Sequence, residues 1–255
     1  MNIKGIDTIA TITKDSAVKL KAEGYSFVGR YLVPWKMDKA VSFTEAKTIR
    51  DAGLAVLLLF EISASRAKQG ANIGATDGAT AKQIAQEMGS PTATTIYFCV
   101  DYDAPKSDYQ AIEQYIVAAK YACSPYRCGV YGKKDLIDSV KADAYMQCVA
   151  WSNGVSSKAD IYQYQWQGGP EAEALKQKLG FAVDLNKCND MRKAGMWMPD
   201  TESHWYDEPM AYVKDRGILN DGRPNDPITR AEVATVIMRV IKYVLKILGK
   251  EGADK

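Results

Sequence analysis

Histidine is almost missing from this chain of 255 residues: His204 is the single one. It falls in the C-terminal segment, so residues 1–190 cannot assemble a Ser-His-Asp or Cys-His site. A His-ligated zinc site of the peptidase or amidase kind is excluded there for the same reason. Carboxylates are then the acid–base groups to look for. Long apolar runs are missing too. The longest, Leu54 to Phe60, is far short of the roughly 20 residues that span a bilayer, so no membrane partner is expected. The start, Met1 to Asp7, lacks a basic region followed by an apolar one. That predicts synthesis as a cytoplasmic polypeptide without a signal peptide; action outside the cell would then need release by another route. Cysteine is sparse and odd in number (Cys99, Cys123, Cys128, Cys148 and Cys188), which argues against a disulfide framework. Cys123 and Cys128 are spaced to pair or to bind metal, against the plainer reading of two ordinary thiols. An excess of one charge is also lacking. With 33 basic and 31 acidic residues the net charge is +2, so there is no electrostatic footprint for nucleic acid. A phosphate-cradling loop is absent: Gly70-Ala71-Asn72-Ile73-Gly74 follows no strand and lacks a Lys-Ser/Thr pair. No cofactor and no resident metal are expected.

What is present reads as an ordinary soluble globular composition, 47% hydrophobic and 25% charged. The length corresponds to about 1.7 average domains, one full domain plus an appendage. Short apolar runs alternate with amphipathic stretches over residues 1–192. Strands are predicted at Ile3–Thr8, Phe27–Leu32, Leu54–Ile62, Thr95–Asp103, Cys128–Tyr131, Tyr145–Trp151, Ile161–Trp166 and Phe181–Leu185. Helices are predicted at Lys14–Glu23, from Ser42 to Gly53, and at Ala79–Met88, Asp108–Tyr121, Lys134–Val140 and Glu171–Leu179. Ser42 and Glu45 are spaced as a capping box. Alternation of this kind implies parallel pairing around a buried sheet. The predicted class is α/β: a (β/α)8 TIM-like barrel with a small C-terminal α-helical domain. A doubly wound open sheet shows the same alternation, so the placement of polar residues has to decide.

In a (β/α)8 barrel the chemistry sits where the strands end. Asp7 closes the first strand, Glu61 the third, Asp101 and Asp103 the fourth, and Asp184 lies in the eighth. Five carboxylates are thus expected at one mouth. Alternation supports this, because Tyr97, Cys99, Asp101 and Asp103 share one face and Ile96, Phe98 and Val100 the other. A lone Asp at a strand end is ordinarily a turn or cap residue. Crowded acids repel and their pKa values rise on burial, so structure alone seldom assembles them. A Mg²⁺ or Ca²⁺ site is the alternative use of such a cluster. Tyr31, Tyr131, Trp151, Gln163, Gln165 and Asn186 stand nearby as candidate sugar-binding groups, with Trp35, Tyr102, Tyr164 and Trp166 as further aromatics. Some of these rings will be core.

The ordered set Ile3-Lys4-Gly5-Ile6-Asp7-Thr8, Glu61, Val100-Asp101-Tyr102-Asp103, Gly129-Val130-Tyr131-Gly132, Ala150-Trp151-Ser152, Tyr164-Gln165-Trp166 and Val183-Asp184-Leu185-Asn186 resembles the glycoside-hydrolase-like domain of unknown function related to the family 25 lysozymes. The resemblance covers roughly residues 1–190. It implies a barrel acting on peptidoglycan glycan strands, with Asp7, Asp101 and Asp184 matching lysozyme acids by position. The lysozyme pattern has Asp-x-Glu where this chain has Asp101-Tyr102-Asp103. Glu61, found in the glycoside-hydrolase-like relatives, is the substitute for the missing acid. It is expected to be the general acid.

Residues 193–200 read as a linker and 201–255 as a second module. There Ile228-Thr229-Arg230-Ala231-Glu232 resembles the hallmark of S-layer homology modules. The resemblance implies binding of secondary cell-wall polymer, with Trp205 and Arg230 as binding residues. Val233, Val236, Ile237, Val240, Ile241, Val244, Leu245 and Leu248 form a broad apolar stripe, from which a homo-oligomer through this helix is expected. The plain alternative is a helical dimerisation arm. The leading reading is a phage-type endolysin that cleaves wall glycan by carboxylate acid–base catalysis. A non-catalytic wall-binding protein with a degenerate barrel is the second. A metal-dependent hydrolase using Asp101, Asp103 and Asp184 is the third.

Overall fold

The computed structural model describes residues 1–34, 36–199 and 230–247. Eight strands close a barrel in sequence order: β1 (Ile3–Asp7), β2 (Tyr25–Tyr31), β3 (Ala55–Phe60), β4 (Thr95–Cys99), β5 (Arg127–Gly132), β6 (Ala144–Cys148), β7 (Ile161–Gln165) and β8 (Asp184–Cys188). Six helices accompany them among the described residues: α1 (Lys14–Ala22), α2 (Phe43–Asp51), α3 (Ala71–Glu87), α4 (Tyr109–Cys123), α5 (Lys134–Ser139) and α6 (Pro170–Leu179). The barrel is the expected one, but the pairing is not parallel throughout. β8 runs antiparallel to both β1 and β7. Only Gly180 to Val183 separate α6 from β8, and β8 starts at the mouth and descends to the base. Asp184 therefore reaches the mouth at the beginning of its strand.

Strand alternation sorts the core into two layers. Phe27, Leu57, Leu59, Tyr97, Cys99, Met146 and Ile161 fill the barrel, while Val28, Val56, Leu58, Phe60, Ile96, Phe98 and Val130 face the helices. The helix predicted at Ala79–Met88 starts eight residues earlier, at Ala71, and takes in Gly74 and Gly78. A Cβ on Gly74 would stand 2.2 Å from the Tyr115 carbonyl oxygen, and one on Gly78 2.5 Å from that of Ala119. Both glycines let α3 lie directly on the backbone of α4, a gain that outweighs their poor helix propensity.

Ser42 caps α2 by accepting from the Glu45 backbone N–H. The reciprocal half of the expected box is not made, because the Glu45 carboxylate turns inward. It pairs with Arg30 Nε at 2.6 Å and accepts the Ile12 N–H at 2.7 Å. Arg30 is wholly buried and also donates to the Thr8 carbonyl. One ion pair thus ties the loop after β1 to β2 and α2.

The stretch predicted as a linker is instead the floor of the barrel. Leaving β8 at the base, the chain folds back so that Ala194 and Met196 enter the interior core. Thr95 N–H donates to Gly195 O at 2.7 Å, and Tyr97 Oη to Ala194 O at 2.7 Å. Trp197 exchanges two 2.9 Å backbone bonds with Val56, and the Arg50 guanidinium lies 4.4 Å from its ring. The chain divides into two units after residue 200. In the second, α7 (Arg230–Ile247) exposes Ile237, Val240, Ile241 and Val244. Trp205 lies outside the described residues, as does the side chain of Arg230. Among the described residues no helix is long and apolar enough to cross a membrane.

Candidate active site

The strand ends enclose a cleft of about 250 Å³ lined by Asp7, Glu61, Asp101 and Asp184, with Tyr31, Tyr131, Gln163, Trp166 and Gln167. Asp7 sits deepest, 3% exposed. Its close approach to β2 depends on Gly29, where a Cβ would fall 2.6 Å from Asp7 Cβ. Asp7 Oδ2 accepts from Asn186 Nδ2 at 2.8 Å and from Gln163 Nε2 at 3.0 Å. The same Gln163 nitrogen stands 3.2 Å from Asp184 Oδ2, and the other Asp184 oxygen accepts the Gln167 N–H at 2.6 Å. Register explains the meeting: Asp7 is opposite Asp184, and Gln163 opposite Asn186.

Electrostatics follow from burial and crowding. Burial, reinforced by Asp184, pushes the Asp7 carboxyl up to about 7. Asp184 is raised by burial and then by Asp101, and Asp101 by burial and then by Glu61. Glu61 has a different setting. Lys39, from the loop after β2, pairs with it at 2.9 Å and lies 4.5 Å from the centre of the Tyr31 ring. Glu61 Oε2 is thereby engaged as the acceptor of the Lys39 ammonium.

Three expected site residues are elsewhere. β4 ends at Cys99, so alternation does not carry Asp103 inward. It is 63% exposed and pairs with Lys133 at 2.6 Å. On β7 the register shifts between Gln163 and Gln165. Gln165 consequently leaves the inner face, and its Oε1 accepts the Ala172 N–H at 2.8 Å near the start of α6. Trp151, at a left-handed φ of 56°, is half-exposed and does not line the cleft, although its neighbour Ala150 does. Trp35 lies outside the described residues. Trp166, beyond the end of β7, supplies the exposed ring of the cleft. Sequence reading placed it among the nearby aromatics without choosing it. Lys39 and the backbone of Gln167 were missed, as both belong to loops with no pattern of their own. Among the described residues no group of three or more His, Cys, Asp or Glu side chains is arranged to hold a metal ion.

This arrangement, carboxyls of unequal proton affinity beside an aromatic face, suits acid–base work on a polyhydroxylated ring. The fold has solved counterparts. The Tat-secreted protein Rv2525c of Mycobacterium tuberculosis, in complex with L-tartrate, superposes with a TM-score of 0.66 at 19% identity, over 77% of this chain and all of that one. The catalytic domain of endolysin ply40 from bacteriophage P40 of Listeria monocytogenes gives 0.50 at 16% identity, over 76% of this chain and 96% of that one. The uncharacterized protein YbfG of Bacillus subtilis is 26% identical over 249 residues, 90% of this chain and 31% of its own length. The chain therefore spans about a third of the curated relatives it matches. An S-layer homology domain matches residues 198–234. The Rv2525c-like, glycoside hydrolase-like domain matches residues 18–188, and the chain belongs to that family.

Proposed function

We propose that the barrel is a muramidase-like glycosidase that cleaves the glycan strands of peptidoglycan. The S-layer homology module would hold it on secondary cell-wall polymer. The observation that carries this reading is the cleft itself, lined by four carboxyls, two of them bridged by Gln163, with Tyr31 and Trp166 beside them. Glycoside hydrolysis needs one carboxyl that gives a proton and one that stays ionised near an oxocarbenium-like centre, and the cleft provides candidates for both. A barrel with a wall-binding module suits an endolysin that meets its substrate after release from the cell in which it is made. The second reading, a wall-binding protein without catalysis, is favoured by the outward turn of Asp103 and by the Lys39–Glu61 ion pair.

Purified Gram-positive walls should lose turbidity with the full chain, equally with and without a chelator. No clearing sinks the glycosidase reading, and clearing abolished by chelator points to a metal-dependent hydrolase. A chain ended at Pro199 should still digest soluble glycan but pellet much less with intact walls. Equal pelleting of both would remove the module from the account.

A further inference from the structure

Hydrogens can be counted along the chain of side chains from Asp101 through Tyr131 and Gln163 to Asp7 and Asp184. The Gln163 amide has two N–H groups, and its Nε2 meets two carboxyl oxygens, at 3.0 Å and 3.2 Å. Both call for the NH₂ end, so Gln163 Oε1 points the other way and only accepts. Its partner there is the Tyr131 hydroxyl, 3.0 Å away, whose single hydrogen is thereby committed. The Tyr131 oxygen then shows a lone pair to Asp101 Oδ1, 3.4 Å away. Two oxygens without a hydrogen between them repel, most of all where water is scarce. The contact is attractive when the carboxyl carries the hydrogen.

We propose that Asp101 rests protonated, as an O–H donor to Tyr131 oriented by Gln163, and that Asp101 in place of Glu61 gives the proton to the glycosidic oxygen. The second half of this rests on the glycosidase reading. Tyr131 and Gln163 are positioning residues. In the step, the Asp101 O–H bond breaks and the glycosidic oxygen takes the proton. The electron pair of the sugar C1–O bond leaves with that oxygen. The water that adds to C1 returns one proton to the cleft carboxylates, which balances the hydrolysis.

The charges facing Asp101 agree. Glu61 from the end of β3, Asp7 from β1 and Asp184 from β8 are negative when ionised and oppose its ionisation; a hydrogen bond donated by Tyr131 would work the other way, as does Lys39. Tyr31, Tyr131, Cys99 and Cys148 are all held above their ordinary values by burial first, and stay neutral near pH 7. Burial, then Glu61, raises Asp101 itself.

The test is a ¹³C NMR titration of the carboxyls in the full chain, wild type against Tyr131→Phe, with Asp101 assigned by its loss in Asp101→Asn. Phenylalanine removes the acceptor of the Asp101 hydrogen, so the Asp101 midpoint should fall by about one pH unit. If Tyr131 instead donates to an ionised Asp101, the midpoint rises and the proposal is overturned. Should Tyr131→Phe not fold, infrared spectra of wild type and Asp101→Asn decide. Near pH 6 the protonated-carboxyl band should lose intensity in Asp101→Asn, and unchanged intensity overturns the proposal. Neither readout needs turnover. A wild type that releases no sugar therefore sinks the glycosidase reading and the second half, while the midpoint still decides the first.

Discussion

Asp7→Asn should make the protein more stable at alkaline pH and far less active. The folded state raises the Asp7 carboxyl from 3.8 to about 7, chiefly by burial. A carboxyl raised on folding binds its proton more tightly folded than unfolded. Its contribution is fully present below the unfolded value and is lost as pH rises through the folded one. The window is therefore between 3.8 and about 7. Across it, a shift of this size corresponds to at most about 4 kcal/mol, at roughly 1.4 kcal/mol per pH unit. Asparagine can accept from Asn186 and Gln163 as Asp7 does, and it carries no charge to bury. Melting curves should show a shallower decline with pH for the variant and a higher melting temperature at pH 8, by roughly 2–4 °C per kcal/mol gained. Reducing-end release should meanwhile fall by about 10²–10⁴, the usual range for loss of an acid–base group. Parallel pH profiles for the two proteins would show that Asp7 titrates normally.

The second large effect lies at the other end of the barrel. A chain ended at Gly195 should unfold at far lower temperature than one ended at Pro199, although the two differ only in Met196, Trp197, Met198 and Pro199. Met196 and Trp197 are 4% and 5% exposed, and Trp197 pairs with Val56 through both backbone groups. Truncating a buried Trp to Ala costs about 3–5 kcal/mol, against a total stability of about 5–15 kcal/mol. Trp197→Ala in the full chain should therefore lower the barrel melting temperature by roughly 10 °C. The chain ended at Pro199 should melt in one cooperative step, within a few degrees of the barrel in the full protein. Indistinguishable melts for the two truncations would mean that the base closes without this strap.

The barrel was legible because its strands alternate so regularly. Tyr97 and Cys99 face inward and Ile96, Phe98 and Val100 outward, and the acids at the strand ends chose a barrel over an open sheet. The acids on that pattern, Asp7, Asp101 and Asp184, were legible with it. Where local geometry interrupts the alternation, the reading failed. Asp103 was projected inward by extending a strand that stops at Cys99, and Gln165 was misplaced by one register shift. The direction of β8 leaves no mark in composition, since a strand reads alike both ways. The start of α3 was set too late, at Ala79, because Gly74 and Gly78 have poor helix propensity, which is local, whereas their use is contact with α4. Residues 193–200 looked like a linker because a stretch of chain that plugs a barrel has neither the helical nor the strand period. Glu61 was found, but its ion pair with Lys39 was not, since it joins a strand end to a patternless loop.

The measurement closest to the central claim is mass spectrometry of purified peptidoglycan digested by the full chain in ¹⁸O-labelled water. A glycosidase adds that water to the anomeric carbon. The account predicts soluble fragments with ¹⁸O at a new reducing-end sugar, and their loss in Asp101→Asn. Intact glycan, or fragments carrying ¹⁸O only on newly freed peptide carboxyls, would contradict it.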